Sequence, residues 1–127
     1  GCAPLIKSSV FRMTGLFDER FFLYYEDADL SYRAKKMGFS TVIHPRAVVT
    51  HSEESTRNPE KVYWLVRSGL FFFKKHTPFF GQPIFWSAVA VRNIYNMIRL
   101  ARSKKTTTDT AALSVRDAFR DFWKYGY

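Results

Sequence analysis

Hydrophobic and polar residues follow different patterns in the two parts of this chain, and the change predicts two regions. Near the start, residues 3–12 alternate loosely between apolar and polar side chains, which predicts a strand leading into a turn. Residues 27–37 repeat at a helical spacing, and Gly38 is suited to end that helix. Asp27 would head the buried stripe of this helix, whose apolar members are Leu30, Ala34 and Met37.

The next segment, residues 40–51, is rich in β-branched side chains and is predicted to be extended on both sides of a turn at Pro45. Residues 41–43 would form one extended piece and residues 47–51 the other. His51 would then lie at the carboxyl end of a strand, where open α/β sheets carry their functional residues.

The second region has a helical pattern throughout. Asn58 and Pro59 combine N-cap and first-turn preferences, so a helix is predicted from Pro59 to Lys75. A second helix is predicted over residues 84–102, followed by a polar, basic linker over 103–109 and an amphipathic helix over 111–124. The pattern therefore predicts the fold class α/β, with few strands in residues 1–58 and a helical extension in residues 59–127.

Composition refines this picture through charge and aromatic content. The chain has 127 residues, enough for one small domain or part of a larger one, and 18% of them are aromatic. Residues 1–58 carry eight Lys/Arg against seven Asp/Glu, a net +1, whereas residues 59–127 carry twelve against four, a net +8. The basic excess of the second region either faces something anionic or simply keeps an aromatic-rich surface soluble. No zinc spacing or nucleic-acid motif accompanies the charge, so no nucleic-acid partner is predicted.

Two further observations concern the cell compartment. The single cysteine, Cys2, excludes an internal disulfide framework and indicates a reducing, cytoplasmic setting. The longest apolar stretch, residues 84–101, is interrupted by arginines and asparagines, so no transmembrane span is predicted. That stretch fits either a helix lying on a membrane surface or an ordinary amphipathic helix packed on its neighbours.

The candidate chemistry is concentrated in residues 15–30, where Glu26 and Asp27 directly follow a run of aromatic residues. Aromatic walls restrict water, so a carboxylate there can hold a pKa suited to taking a proton from a sugar hydroxyl. Acidic residues are also favoured at the positive N-terminal end of a helix, so these two could simply stabilise a helix start. The spacing alone leaves both interpretations open. Asp29, by contrast, is predicted to pair with Arg33 one helical turn later.

An ordered set of motifs resembles family 2 glycosyltransferases, in particular the bacterial rhamnosyl- and galactofuranosyltransferase-like branch with a GT-A fold. The set comprises Phe17-Asp-Glu-x-Phe-Phe22, Tyr25-Glu-Asp-Ala-Asp-Leu30, Arg33, Gly38, Pro45 and His51. The segment from Arg67 to Pro78 is similar to a helix that follows in that branch. The resemblance is strong over residues 1–78 and covers 79–127 only by position and character.

The resemblance implies roles for individual residues. Asp27 would be the general base that deprotonates an acceptor hydroxyl as it attacks a nucleotide-sugar donor with inversion. Glu26 would position the acceptor or tune Asp27. His51 would ligate a divalent metal, Mn²⁺ or Mg²⁺, on the donor diphosphate. The acceptor would be a saccharide or a lipid-linked glycan of the cell envelope.

One departure from the family affects every functional expectation. These enzymes bind the nucleotide in an N-terminal Rossmann-like half that ends in an Asp-x-Asp metal motif, and this chain has no such half. We therefore expect a C-terminal portion of a glycosyltransferase that is inactive by itself, can self-associate as a homo-oligomer, and is cytoplasmic and peripheral on the inner face of the membrane. Two alternatives to this interpretation are a non-catalytic membrane-surface or protein-interaction module and a basic nucleic-acid-binding domain.

Overall fold

The computed structural model describes residues 3–51, 59–102 and 108–125, which belong to two compact units. The first unit is Gly1–Thr56 and the second is Arg57–Tyr127. The regular elements in the described ranges are α1 (Ser8–Thr14), α2 (Glu26–Lys36), α3 (Pro59–His76), a 3₁₀ turn (Phe79–Gly81), α4 (Gln82–Arg102) and α5 (Thr108–Lys124). These ranges contain helices and no strand, so the predicted α/β class with a Rossmann-like sheet is not confirmed.

The strand predicted over residues 3–12 is wrong, because residues 8–12 belong to α1 and residues 3–7 form no strand. Val10 is buried on α1 and packs with Leu30 and Ala34 of α2 in the core of the first unit. Gly15 ends the helix with φ 78°, a conformation that favours glycine, and its N–H donates to the Phe11 carbonyl oxygen at 2.9 Å. The apolar face of α1 is buried by packing on α2. The local alternation of apolar and polar residues does not reveal this long-range contact.

Helix α2 confirms the predicted helix, and its end follows the Schellman pattern. The N–H of Phe39 donates to the Ala34 carbonyl oxygen and that of Gly38 to the Lys35 carbonyl oxygen, at 3.0 and 3.1 Å. Gly38 has φ 85°, and the Phe39 side chain packs against the core. Met37, predicted to be buried, is exposed because it lies in the turn after the last helical residue.

The extended pieces predicted within residues 40–51 do not form strands. A turn is present at Pro45, where the Ala47 N–H donates to the His44 carbonyl oxygen at 3.0 Å. The side chains on both sides of this turn are exposed, including Ile43 and Val48. A strand requires a partner for its backbone hydrogen bonds, and the described residues provide none for this segment.

A buried ion pair joins the elements of the first unit. Asp29 on α2 is fully buried, and Arg33 donates from Nε to its Oδ2 at 2.8 Å, as the spacing predicted. The same guanidinium donates from Nη1 to the Thr14 carbonyl oxygen and from Nη2 to the Leu16 carbonyl oxygen, the latter at 2.8 Å. Arg33 therefore connects α2 to the end of α1 and to the loop that follows it. Asp29, and not the half-buried Asp27, is the acidic residue of the buried stripe.

In the second unit, α3 packs chiefly on α5. Their buried side chains include Leu70, Phe71, Ala118 and Phe122. The predicted helices over 59–75, 84–102 and 111–124 are confirmed, with starts or ends differing by at most three residues. Helix α5 begins at Thr108, inside the linker predicted over 103–109. Three features of the sequence analysis lie outside the described residues, namely Cys2, the predicted N-cap Asn58 and residues 103–107 of the linker.

A hydrogen bond between α3 and α5 adds a titratable contact. The Tyr63 hydroxyl donates to Asp121 Oδ2 at 3.0 Å. A hydrogen bond from Arg120, supported by the bond from Tyr63, lowers the pKa of Asp121 below its usual range. Burial and the neighbouring Asp121 carboxylate raise the pKa of Tyr63. The ionised carboxylate and the protonated phenol are therefore the forms that favour folding.

We predict that Asp29→Asn lowers the free energy of unfolding of the first unit by about 3 kcal/mol, because it leaves the Arg33 guanidinium without its buried anionic partner. Urea unfolding followed by circular dichroism measures the change. Glu19→Gln, the same acid-to-amide change at an exposed loop position, is the matched control and should shift stability by no more than about 0.5 kcal/mol. Equal effects of the two substitutions would contradict the role given to the ion pair.

In the second unit, Phe122→Ala should cost about 3 kcal/mol or more, since the ring is 2% exposed and its removal leaves a cavity between helices. Phe79→Ala deletes the same atoms at a position that is 93% exposed, and it should leave the thermal midpoint almost unchanged. Calorimetry of both variants provides the comparison, and a similar loss of stability in both would show that the α3–α5 core is misassigned.

Acidification should weaken the second unit through Asp121. A carboxylate whose pKa is lowered by folding contributes fully above its unfolded value, about 4, and loses that contribution as the pH falls through the lower folded value. The stability difference between the unmodified chain and Asp121→Asn should therefore be largest near neutral pH and decrease progressively as the pH falls below the unfolded value. A difference that does not vary with pH in urea titrations would exclude this linkage.

Candidate functional site

The candidate site is built on the loop that joins α1 to α2, residues 15–25. Arg33 binds the backbone carbonyls at the beginning of this loop, as described above. In its middle, Asp18 forms a two-point contact with Arg20, whose Nε and Nη2 donate to the two carboxylate oxygens at 2.8 and 2.7 Å. Phe21 follows and is 5% exposed, so a buried ring anchors the centre of the loop. Phe22, the next residue of the same aromatic run, is largely exposed.

The loop ends in two residues with left-handed backbone conformations. Tyr24 has φ 66° and Tyr25 has φ 68°, and neither is a glycine. Such conformations cost on the order of 1 kcal/mol each and persist only where the surrounding contacts require them. They bring the chain into α2 at Glu26, so the two candidate catalytic carboxylates immediately follow the strained dipeptide. No turn signal in the sequence indicated this geometry, because neither position carries Gly, Asn or Asp.

Glu26 is the first residue of α2 and is half-buried. Its Oε2 atom is buried, and the described residues place no hydrogen-bond donor on it. A buried carboxylate oxygen without a donor is unfavourable by about 1–3 kcal/mol, so it is a position where a ligand hydroxyl or amide would be stabilising. The sequence suggested Glu26 as a site residue, but the unsatisfied oxygen is visible only in the structure.

Asp27 is the second residue of α2 and is also half-buried. Its Oδ1 accepts a hydrogen bond from the Ala28 N–H at 2.7 Å, so the carboxylate lies at the N-terminal end of the helix. The N-cap residue itself is Tyr25, which makes no side-chain capping bond. Asp27 therefore contributes to the helix start locally, and this contact is compatible with both interpretations of the carboxylate.

His51 is exposed, in an irregular segment, and not at the end of a strand. In the described part of the chain, no three His, Cys, Asp or Glu side chains are grouped closely enough to hold a metal ion.

None of the helices in the described ranges combines the length and the apolar character that crossing a bilayer requires.

Comparison with known proteins adds independent support for the motif resemblance. The chain is 29% identical, over 83% of its length, to the N-acetylglucosaminyl-diphospho-decaprenol L-rhamnosyltransferases of Mycobacterium tuberculosis strains CDC 1551 and H37Rv. It spans 38% of the length of these curated relatives. No family model and no solved structure matches the chain. The similarity supports a glycosyltransferase-like relationship, as the ordered motifs predicted.

Proposed function

We propose that residues 1–58 supply the acceptor-binding and general-base part of an inverting glycosyltransferase. The observation that carries the proposal is the ordered loop 15–25, which delivers Glu26 and Asp27 at the start of α2 within a chain similar to rhamnosyltransferases. Arg33 supports this arrangement, because it pairs with Asp29 on α2 and also donates a hydrogen bond to the Leu16 carbonyl oxygen in the loop.

In the proposed reaction, Asp27 accepts the proton of an acceptor hydroxyl while that oxygen attacks the anomeric carbon of a nucleotide-sugar. The new bond joins the acceptor oxygen to the anomeric carbon, and the bond from that carbon to the diphosphate breaks on the opposite face. A base within hydrogen-bond reach contributes typically ~10²–10⁴-fold to such a step. The nucleoside diphosphate leaves with the bonding electrons, and the proton remains on Asp27.

Glu26 has a different proposed role from Asp27. Its buried Oε2 offers an acceptor for a hydroxyl group of the bound saccharide, and this contact would orient the sugar without removing a proton. Glu26 would therefore affect acceptor affinity more than the rate of the chemical step.

The proposal for the whole protein also includes a donor, an acceptor and a metal ion. The names of the mycobacterial relatives specify an L-rhamnosyltransferase and an N-acetylglucosaminyl-diphospho-decaprenol substrate. By analogy, we propose a nucleotide-sugar donor and a lipid-linked saccharide acceptor for cell-envelope synthesis. A divalent metal, Mn²⁺ or Mg²⁺, stays a prediction; His51 would be one ligand, and the others would have to come from outside the described residues.

The proposed setting is cytoplasmic and peripheral on the inner face of the membrane, with self-association as a further expectation. We also expect the 127-residue chain to be inactive alone, since the resemblance assigns donor binding to residues that it lacks. The competing function is a non-catalytic interaction module, favoured by the contact of Asp27 with its own helix start.

We predict that Asp27→Asn lowers turnover at least ~10²-fold in the natural polypeptide that carries these residues, with donor binding unchanged, because the amide keeps the shape but cannot take the proton. Glu26→Gln should raise the KM for the acceptor more than it lowers kcat. Turnover of nucleotide-sugars is measured with Mn²⁺ present, and donor binding is measured separately by calorimetry.

Glu19→Gln is the matched control, because it removes a carboxylate from the exposed part of the same motif and should leave both parameters unchanged. Equal turnover by the unmodified protein and Asp27→Asn would mean that Asp27 only stabilises the helix start. Absence of turnover with any donor in a broad panel would favour the interaction module.

A further inference from the structure

Helix α4 of the second unit has an apolar side that the described residues leave uncovered. Ile84, Val91 and Tyr95 are 75%, 67% and 63% exposed. Residues spaced alternately by four and three lie on one side of a helix. We call this side the outer face of α4, and its members are Ile84, Ala88, Val91, Tyr95 and Ile98.

The opposite side of α4 is already occupied by aromatic packing. The ring of Phe85 lies 5.7 Å from that of Phe73 on α3. The ring of Trp86 lies 5.9 Å from Phe122 and 5.1 Å from Trp123, both on α5. Helix α4 therefore has its core contacts without the outer face, and rotating it to bury that face would expose these rings.

Two further exposed rings precede the helix. Phe79 and Phe80, in the 3₁₀ turn, are 93% and 82% exposed. The Gln82 side-chain amide donates to the carbonyl oxygens of Lys74 and Thr77 at 3.1 and 2.8 Å, which fixes the junction between α3 and α4. The exposed rings thus adjoin the N-terminal end of α4 in a structured turn.

The stretch of sequence that contains this face carries only positive formal charge. Residues 61–108 contain nine Lys/Arg and no Asp or Glu. Arg92 is exposed and lines, with Ile84, Val91 and Tyr95, a shallow depression on the outer face. An apolar face with an arginine at its edge complements a surface that is apolar beneath and anionic above.

That combination favours an anionic bilayer over a second copy of the chain or a nucleic acid. A second copy of the chain would bring like charges together around the same face. A nucleic acid would neutralise the arginine but leave the isoleucine and valine side chains against a polar surface. Anionic lipid head groups over acyl chains satisfy both features, and α4 is not apolar enough to cross the bilayer.

We infer that the outer face of α4, together with Phe79 and Phe80, docks into the head-group region of an anionic membrane with the helix axis along the surface. The inference deepens the proposed function and rests on it for its purpose, since a lipid-linked acceptor would have to be met at a membrane. Its physical basis, however, is the second unit alone and does not involve Glu26 or Asp27.

The test is co-sedimentation of the 127-residue chain with vesicles of phosphatidylglycerol and phosphatidylcholine in equal parts, compared with phosphatidylcholine alone. We expect binding to the mixed vesicles and much weaker binding to the neutral ones. Ile84→Ser combined with Val91→Ser should lower the partition coefficient at least ~10-fold, because two aliphatic side chains no longer leave water. Arg92→Gln should lower it about fivefold, and more so at low salt.

The matched control is Ile43→Ser combined with Val48→Ser, which makes the same two changes at positions 95% and 87% exposed in the first unit. This control should bind as the unmodified chain does. Circular dichroism and the urea midpoint establish that every variant is folded. Asp27→Asn should also bind unchanged, so that failure of membrane binding and failure of the catalytic proposal are separate results.

Three results would overturn the inference. The first is equal binding to neutral and anionic vesicles, or none to either. The second is an equal loss of binding in the α4 pair and in the control pair. The third is binding to something other than vesicles that the α4 pair of substitutions abolishes. Self-association without vesicles would assign the face to a second copy of the chain, and binding to RNA but not to vesicles would assign it to a nucleic acid.

Discussion

The buried carboxylate of Asp29 is the constraint on which the first unit depends. An ionised group with no exposed surface requires a partner, and Arg33 provides it from one turn further along the same helix. Because that guanidinium also binds the carbonyls of Thr14 and Leu16, satisfying the charge at the same time positions the end of α1 and the start of the loop. Asp27 lies two residues before Asp29, so its position is tied to this network.

The left-handed conformations of Tyr24 and Tyr25 occur between two anchored parts of the first unit. Their cost is compatible with folding only if the chain is held on both sides, and Phe21 and α2 provide those anchors. A strained entry to a helix, followed directly by two half-buried carboxylates, is a more specific arrangement than an acidic helix start. For this reason we favour a general base at Asp27, although its bond to the Ala28 N–H also serves the helix.

The second unit presents a different physical problem, since α4 is apolar on two sides. Its aromatic side packs on α3 and α5, and its aliphatic side meets water in the described structure. A helix with apolar residues on two sides is most stable when both of those sides leave water. Residues 61–108 contain no acidic residue, which is why we favour an anionic partner for the second contact.

The sequence by itself determined the helices with strong periodicity and clear end signals, such as α2 with its terminal Gly38, as well as the pairing of Asp29 with Arg33. These depend on neighbours within one or two turns, so local spacing is sufficient to predict them. Only the tertiary structure decided that α1 is a helix, that residues 40–51 form no strand, and that Arg33 reaches back to Thr14. Those outcomes depend on which distant groups are available for packing and hydrogen bonding, and no local pattern contains that information.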